Sequence, residues 1–400
     1  MTATARAFDP TSAEVPTPTG PSVRRLTLSG FRNYEALRLD LDRAPVVLTG
    51  PNGAGKTNLL EALSFLAPGR GLRRARLADI DRLDSDRVTG KTQKTWAISA
   101  EVEGNMGRTI IGTGRDPFAA ETGGDKRLVR IDGSPAKSQT VLGDHLAISW
   151  LTPQMDRLFT EGAGQRRRFL DRLVYAFDSQ HAGRMNSYTH TLRERGRLLR
   201  QGRSDASWHA ALEEQIAASG VAVVAARREL IRGLMPLARA GSGPFPGAVL
   251  SIEGEVEAWL DEGPALDAED KFRTALAGAR SLATGEPTPV PGPHRSDLRV
   301  RHSIKDMPAE QCSTGEQKAL LIAIILAHAR LRTRNLGGAP LLLLDEVAAH
   351  LDSERRAALY DILDTLGSQA WLTGTDTALF DAIRPRAQCF TVQDGALVRQ

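Results

Sequence analysis

The 400-residue chain is poor in cysteine and aromatics and has no long apolar run, and each shortage narrows the possible functions. Only Cys312 and Cys389 occur, far apart and unaccompanied by other soft ligands. Neither a disulfide framework nor a zinc site is indicated, and a reducing cytoplasm is the default compartment. No apolar stretch approaches the roughly 18 residues of a membrane span, so no membrane partner is expected. The longest stretch, Ala319 to Ala327, begins a polar-flanked helix. The eight histidines form no HExxH or similar spacing, which argues against a metalloenzyme built on protein ligands alone. A large excess of either charge is also lacking: a net +4 permits nucleic acid as a partner without demanding it. Residues 1–21, rich in Pro, Thr and small side chains, lack the apolar core of a secretory signal and read as a disordered tail.

What is present is ordinary for a globular chain of two or three domains, with 41% hydrophobic and 25% charged residues. From Val23 the pattern is β-rich: VRRLTLSGF, ALRLDL, then VVLTG running into a glycine loop and the helix TNLLEALSFLA. Further short strands follow, TWAISAEVE, RTIIGTG, LVRIDG and AISWLTP, with a polar loop from about Arg115 to Lys126. From about Gly164 the texture is helical. One stripe carries Met185, Tyr188, Leu192 and Leu199, and a second carries Leu212, Ile216, Val223, Leu230 and Leu234. Two helices joined by QGRSD read as an antiparallel hairpin, either packed into a helical domain or projecting as an arm. Beyond the Pro/Gly-rich joint EPTPVPGP the β/α pattern returns: DLRVRHS, a helix from Ser313 to about Arg334, LLLLDE, a helix, AWLTG and a final hairpin. The expected architecture is α/β, with residues 22–160 and 290–400 forming a P-loop ATPase head. That head combines a mixed sheet with an antiparallel β lobe, and residues 161–289 are inserted as a mainly helical lobe.

Two distant segments carry the chemistry. Gly50, Pro51, Asn52, Gly53, Ala54, Gly55, Lys56 and Thr57 complete G-x-x-x-x-G-K-[ST] between a strand and a helix, the context a phosphate-binding loop requires. Its glycines let successive N–H groups point at phosphate oxygens, and the helix N-terminus adds to the same field. Lys56 is expected on the β- and γ-phosphates and Thr57 on Mg²⁺. The leucines of LLLLDE make a strand buried on both faces, ending in Asp345 and Glu346. Asp345 is the candidate Mg²⁺ ligand through water, and Glu346 the general base that polarises the attacking water. Ser313 and Glu316 have capping-box spacing, which opens a helix whose free N–H groups form an anion site. Gln154 in LTPQMD follows a strand and is a further candidate metal ligand.

Ser313, Thr314, Gly315 and Glu316, followed about 30 residues later by the DE strand, resemble the ABC-type signature. The resemblance implies that this segment closes on the γ-phosphate held by a second subunit, with ATP joining two copies head to tail. Asp352 then resembles the D-loop residue. Thr375 takes the place of a γ-phosphate switch residue that is His in transporters, so its role stays open. Within the class, the gap between P-loop and signature is too long for a transporter, and the hairpin too short for an SMC or Rad50 coiled coil.

FRNY at 31–34, GRGLRRARL at 69–77, GQRRRFLD at 164–171, GPHRSDL at 292–298 and STGEQKALL resemble the RecF family from Val23 to the C-terminus. Ser296 stands where that family commonly has Asp, and STGEQ differs from the LSRGQ-like form of some members. The resemblance implies a weak ATPase working as an ATP-dependent homodimer in the cytoplasm, on the nucleoid. It further implies binding to junctions of single- and double-stranded DNA at gaps, in repair, replication, recombination and the SOS response. RecR and possibly RecO are the implied partners in loading RecA onto DNA coated by single-strand binding protein. Arg70, Arg73, Arg74 and Arg76, and Arg166, Arg167 and Arg168, are candidate phosphate contacts. A further basic run is Arg193, Arg195, Arg197, Arg200 and Arg203. Few aromatics are interleaved, which favours duplex backbone over a single-strand platform. A P-loop-headed nuclease and an ABC-type ATPase serving a non-DNA partner are the alternatives.

Overall fold

The computed structural model describes residues 20–82, 95–104, 107–122, 124–201, 205–281 and 289–400. Arg203 and nearly all of the expected tail lie outside these residues. Gly20 and Pro21, the last two residues assigned to that tail, are buried, and Gly20 accepts a hydrogen bond from Arg43.

The N-terminal part supplies two sheets. β1 (Ser22–Phe31), β2 (Tyr34–Asp40), β4 (Ala97–Gly104), β5 (Gly107–Arg115), β6 (Arg127–Ile131) and β7 (Ser134–Pro135) form an antiparallel sheet in the order β2-β1-β4-β5-β6-β7. β3 (Val46–Thr49) leaves this sheet for the core of another and leads into α1 (Lys56–Ser64). The polar loop after β5 contains a short helix, α2 (Pro117–Glu121). Pro117 takes the first helical position, and the Asp116 side chain accepts from the Phe118 and Ala119 N–H groups. α3 (Leu142–His145) and β8 (Ile148–Leu151) follow.

The middle of the chain is α4 (Ala163–Tyr175), α5 (His181–Arg200), α6 (Ala206–Ala240), β9 (Ala248–Glu253), α7 (Glu255–Glu262) and α8 (Ala265–Ser281). At 35 residues α6 is about 52 Å long. The hairpin of α5 and α6 is packed rather than projecting, because α7 and α8 cover it. Tyr188, Ile216, Val221, Val224, Val256, Phe272 and Leu276 share one apolar core. The core is closed toward its end by Arg195, which donates to Glu213 at 2.8 Å and to the Leu276 carbonyl at 2.6 Å. Arg195 is only 4% exposed, so it is removed from the basic surface run.

The last third contains β10 (Asp297–His302), β11 (Met307–Pro308), α9 (Thr314–Leu336), β12 (Leu341–Leu344), α10 (Ser353–Leu366), β13 (Ala370–Gly374), β14 (Gln388–Gln393) and β15 (Ala396–Arg399). The central sheet runs β15-β14-β3-β13-β12-β8, parallel throughout except for the edge strand β15. β3, β8, β12 and β13 are buried along their whole length, as a parallel sheet covered on both faces requires. α9 is buried on every side from Gln317 to Ala329, where it runs through the largest core cluster, against α6 and beside α4 and β8. β9 pairs with β10 in register from Glu253↔Asp297 to Ala248↔His302, tying the helical stretch to the C-terminal part. Among the described residues no helix is long and apolar enough to cross a membrane.

Candidate nucleotide half-sites and basic cleft

The phosphate loop occupies the turn from β3 to α1, at the C-terminal edge of the parallel sheet, where open α/β folds bind ligands. Its conformation needs glycine. Gly50 has φ +142°, and a Cβ there would lie 2.2 Å from the Val392 carbonyl oxygen. Gly55 has φ +116°, and a Cβ there would meet the Asn33 amide at 2.4 Å and the Tyr34 hydroxyl at 2.7 Å. The FRNY segment is thus a brace behind the loop. Asn33 Nδ2 donates to the Ala54 carbonyl at 3.0 Å, and the Tyr34 hydroxyl donates to the Gly55 carbonyl at 3.0 Å. Arg32 grips Glu61 of α1 through two nitrogens, at 2.9 and 3.0 Å.

The loop and the DE strand meet. Thr57 Oγ1 donates to Asp345 at 2.9 Å, and Thr373 Oγ1 donates to the same carboxylate at 2.8 Å. The Glu346 N–H donates to Thr373 Oγ1 at 2.9 Å, and Glu346 adopts the left-handed conformation at φ +54°. Thr373 orders both acidic residues from the neighbouring strand β13. The expected switch residue Thr375 lies two positions further on, exposed. Lys56 is buried and donates to the Gly50 and Pro51 carbonyls at 2.7 and 2.9 Å. Burial pulls its pKa below the ordinary lysine value, against the opposing charges of Glu346 and Asp345. Burial pushes the Asp345 carboxyl up, opposed by hydrogen bonds from Thr373 and Thr57. A buried carboxylate beside a hydroxyl, both oxygen donors, suits a hard divalent cation such as Mg²⁺. Gln154 stands on a short turn after β8, exposed and in the wall of a cleft.

The signature segment sits at the N-terminus of α9. Ser313 and Glu316 form the reciprocal capping box: the Glu316 N–H donates to Ser313 Oγ at 3.3 Å, and the Ser313 N–H to Glu316 Oε2 at 3.0 Å. Ser313, Thr314 and Gly315 are exposed, and a Cβ at Gly315 would meet nothing within 4 Å. Asp352 caps α10 by accepting from the Arg355 N–H at 2.8 Å, and is otherwise open to solvent. Lys318, on α9, pairs with Asp156 beside Gln154 at 3.3 Å, linking the signature helix to the turn after β8.

The basic residues divide. Arg70, Arg73 and Arg74 from the turn after α1, Arg168 from α4 and Arg193 from α5 line one cleft of about 870 Å³, together with Gln154. Burial, with Arg168 and Arg70 as neighbours, pushes the Arg74 pKa down; like charges have been gathered there. At the cleft wall Arg172 stacks over Trp150, 4.3 Å from the ring centroid. Arg73 also pairs with buried Glu61 at 3.0 Å. Arg76 is exposed outside this lining. Arg166 and Arg167 are absent from this lining and bond elsewhere. Arg166 holds Asp297 through two nitrogens at 2.7 and 2.8 Å, and Arg167 donates to the Ser296 carbonyl at 2.7 Å. They fasten α4 to the GPHRSDL segment. His294 of that segment is driven down to a pKa of about 4 by burial and the nearby Arg167 and Arg295.

Fold and site together define an ATPase head of the RecF/SMC class. The model described as "RecF/RecN/SMC N terminal domain" matches residues 22–396. The chain belongs to the RecF family: it is 50% identical to the DNA replication and repair protein RecF of Rhizobium rhizogenes over 94% of this chain and 98% of that protein. It is likewise 50% identical to that of Mesorhizobium japonicum, over 95% and 98%. In fold it is similar to a recombination mediator protein RecF of the RecFOR pathway solved with ATPrS, with TM-score 0.80, 20% identity and coverage of 95% and 98%. A Pyrococcus furiosus Smc head domain is more distant, with TM-score 0.52 and 15% identity over 95% of this chain and 96% of that one.

Proposed function

We propose that the protein is a recombination and repair mediator whose weak ATPase switches a homodimer on DNA. The observation that carries this reading is the cleft: arginines from three separate stretches converge there beside Gln154, on the turn that Lys318 joins to the signature helix. Five guanidinium groups along one groove, not counting Arg172 stacked on Trp150 at its wall, suit a phosphate backbone read without base specificity. In hydrolysis, Lys56 and the loop N–H groups hold the ATP phosphates. A water oxygen attacks the γ-phosphorus, the bond to the ADP oxygen breaks, and Glu346 takes the water proton. Mg²⁺, held by Thr57 and Asp345 with Gln154 as a further ligand, would neutralise charge on the phosphates. Ser313 to Glu316 supply a second subunit's site, with Asp352 and Thr375 at the same junction.

By family likeness the substrate is DNA with single/double-strand junctions at gaps, and the partners are RecR and RecO in loading RecA. The head, residues 22–160 and 290–400, carries the ATPase, and residues 161–289 carry part of the DNA surface. A salt titration of binding to gapped, duplex and single-stranded DNA with ATP tests this. Five phosphate contacts give a log–log slope of about −4 to −5 on duplex. No binding at low salt with ATP present would overturn the DNA reading.

A further inference from the structure

The signature end of α9 already holds an anion, and that anion belongs to its own chain. Glu316 Oε2 accepts from both the Ser313 N–H, at 3.0 Å, and the Ser313 hydroxyl, at 2.9 Å. Glu316 thereby withholds both Ser313 donors from a γ-phosphate arriving at this helix end. The other carboxylate oxygen, Oε1, is paired with Lys305. Lys305 lies on the turn between β10 and β11, outside the capping box, and a capping box requires no cation. Its turn is shaped to place it: His302 Nδ1 accepts from the Ile304 and Lys305 N–H groups at 3.3 and 3.4 Å, and Arg301 ties down Asp306 at 3.0 Å. The Lys305 ammonium, together with the Ser313 hydrogen bonds, holds the Glu316 carboxyl down at a pKa of about 2, so the group stays ionised. An ionised carboxylate on this helix end opposes an incoming triphosphate unless a cation moves with it.

We infer that Lys305 is a positioning residue of the nucleotide site completed in trans. It holds Glu316 on Ser313 in the free subunit, and bridges Glu316 and the second copy's γ-phosphate when the two meet. The phosphate then replaces Glu316 Oε2 on the Ser313 donors, and Lys305 compensates both anions. This rests on the proposed closure of Ser313 on another copy's nucleotide, so the test separates the two. Dimerisation of the full chain is followed by sedimentation with ATP, with ADP and without nucleotide.

Lys305→Met raises the concentration for half-dimerisation with ATP about tenfold to a hundredfold, the scale of one charge-assisted hydrogen bond, and changes nothing with ADP. Lys305→Arg restores it, and the charge-neutral pair Lys305→Met with Glu316→Gln recovers most of it. Wild-type dimerisation of Lys305→Met overturns the inference. So does an equal loss with and without nucleotide accompanied by a lower melting temperature, the mark of a structural role. Ser313→Arg is the control on the parent reading: if it also leaves ATP-driven dimerisation intact, closure in trans itself fails.

Discussion

The two halves of the nucleotide site are built on opposite principles. The phosphate-loop half is finished inside one subunit: Gly55 is pinned by Asn33 and Tyr34, Lys56 is buried, and Asp345 takes two hydroxyl donors, one from α1 and one from β13. The signature half is a surface. Ser313, Thr314 and Gly315 are exposed, and Glu316 occupies the Ser313 donors through the reciprocal capping box. Gly315 has ordinary helical geometry and open space around its missing Cβ, so nothing in the subunit explains a glycine there. A preformed cradle binds ligand alone, whereas an open, self-capped helix end acts only when something replaces its cap. The contrast is what a two-copy switch requires.

The comparison breaks most sharply at Lys56. Lys56→Met should abolish nucleotide binding, read by fluorescent-nucleotide titration, while the monomer stays folded. Retained binding would show that the braced loop suffices without its cation. Glu346→Gln should keep binding but slow hydrolysis by about 10² to 10⁴, the range of a lost general base, and prolong the ATP-held dimer. Turnover at the wild-type level would remove Glu346 from that role.

How much of this could be read beforehand follows from distance along the chain. The loop, the DE pair and the capping box are local strings with a fixed mechanism, and each stands where its string predicts. Thr373 was missed because its importance exists only once β13 lies beside β12, a pairing of strands that no local pattern encodes. Arg195 was counted with a surface run, although Tyr188, Thr191, Arg195 and Leu198 share three-to-four-residue spacing and are all buried. Arg166 and Arg168 are two apart on α4, hence on different faces, and only Arg168 reaches the cleft. FRNY was visible as a likeness, but its work as a brace depends on β1 and β2 passing behind the loop.

The two halves share a scaffold through α9, which carries the signature at its start and buried His328 in its middle. His328 Nε2 bonds to the Leu173 carbonyl at 2.9 Å, and burial lowers its pKa to about 4 from 6.5. The folded state binds this proton less readily than the unfolded state. Stability is therefore full above about pH 6.5 and lost progressively as pH falls to about 4, by about 3 kcal/mol in total. Urea melts across that window measure it. If the loss persists unchanged in His328→Asn, other groups are responsible. Tyr34→Phe removes one of two donors to the Gly55 carbonyl, which keeps its bond from the Leu59 N–H at 3.1 Å, and should cost about 0.5–1.5 kcal/mol, with weaker nucleotide binding. An unchanged affinity would show that the loop holds its shape without the brace.

The smallest expected effect is the most discriminating. Gly315→Ala adds one methyl group in empty space at a helical position, so within the subunit it can only help. Alanine favours the helix over glycine by about 0.5–1 kcal/mol in a helix interior, and by less in the first turn. The melting temperature of the monomer should therefore hold or rise slightly. If the signature half is a surface awaiting a second copy, the same methyl group meets the incoming loop and weakens ATP-driven dimerisation. A variant that is both more stable and a worse dimer separates folding from closure within a single residue. A variant unchanged in dimerisation would mean that the two halves do not approach each other at Gly315.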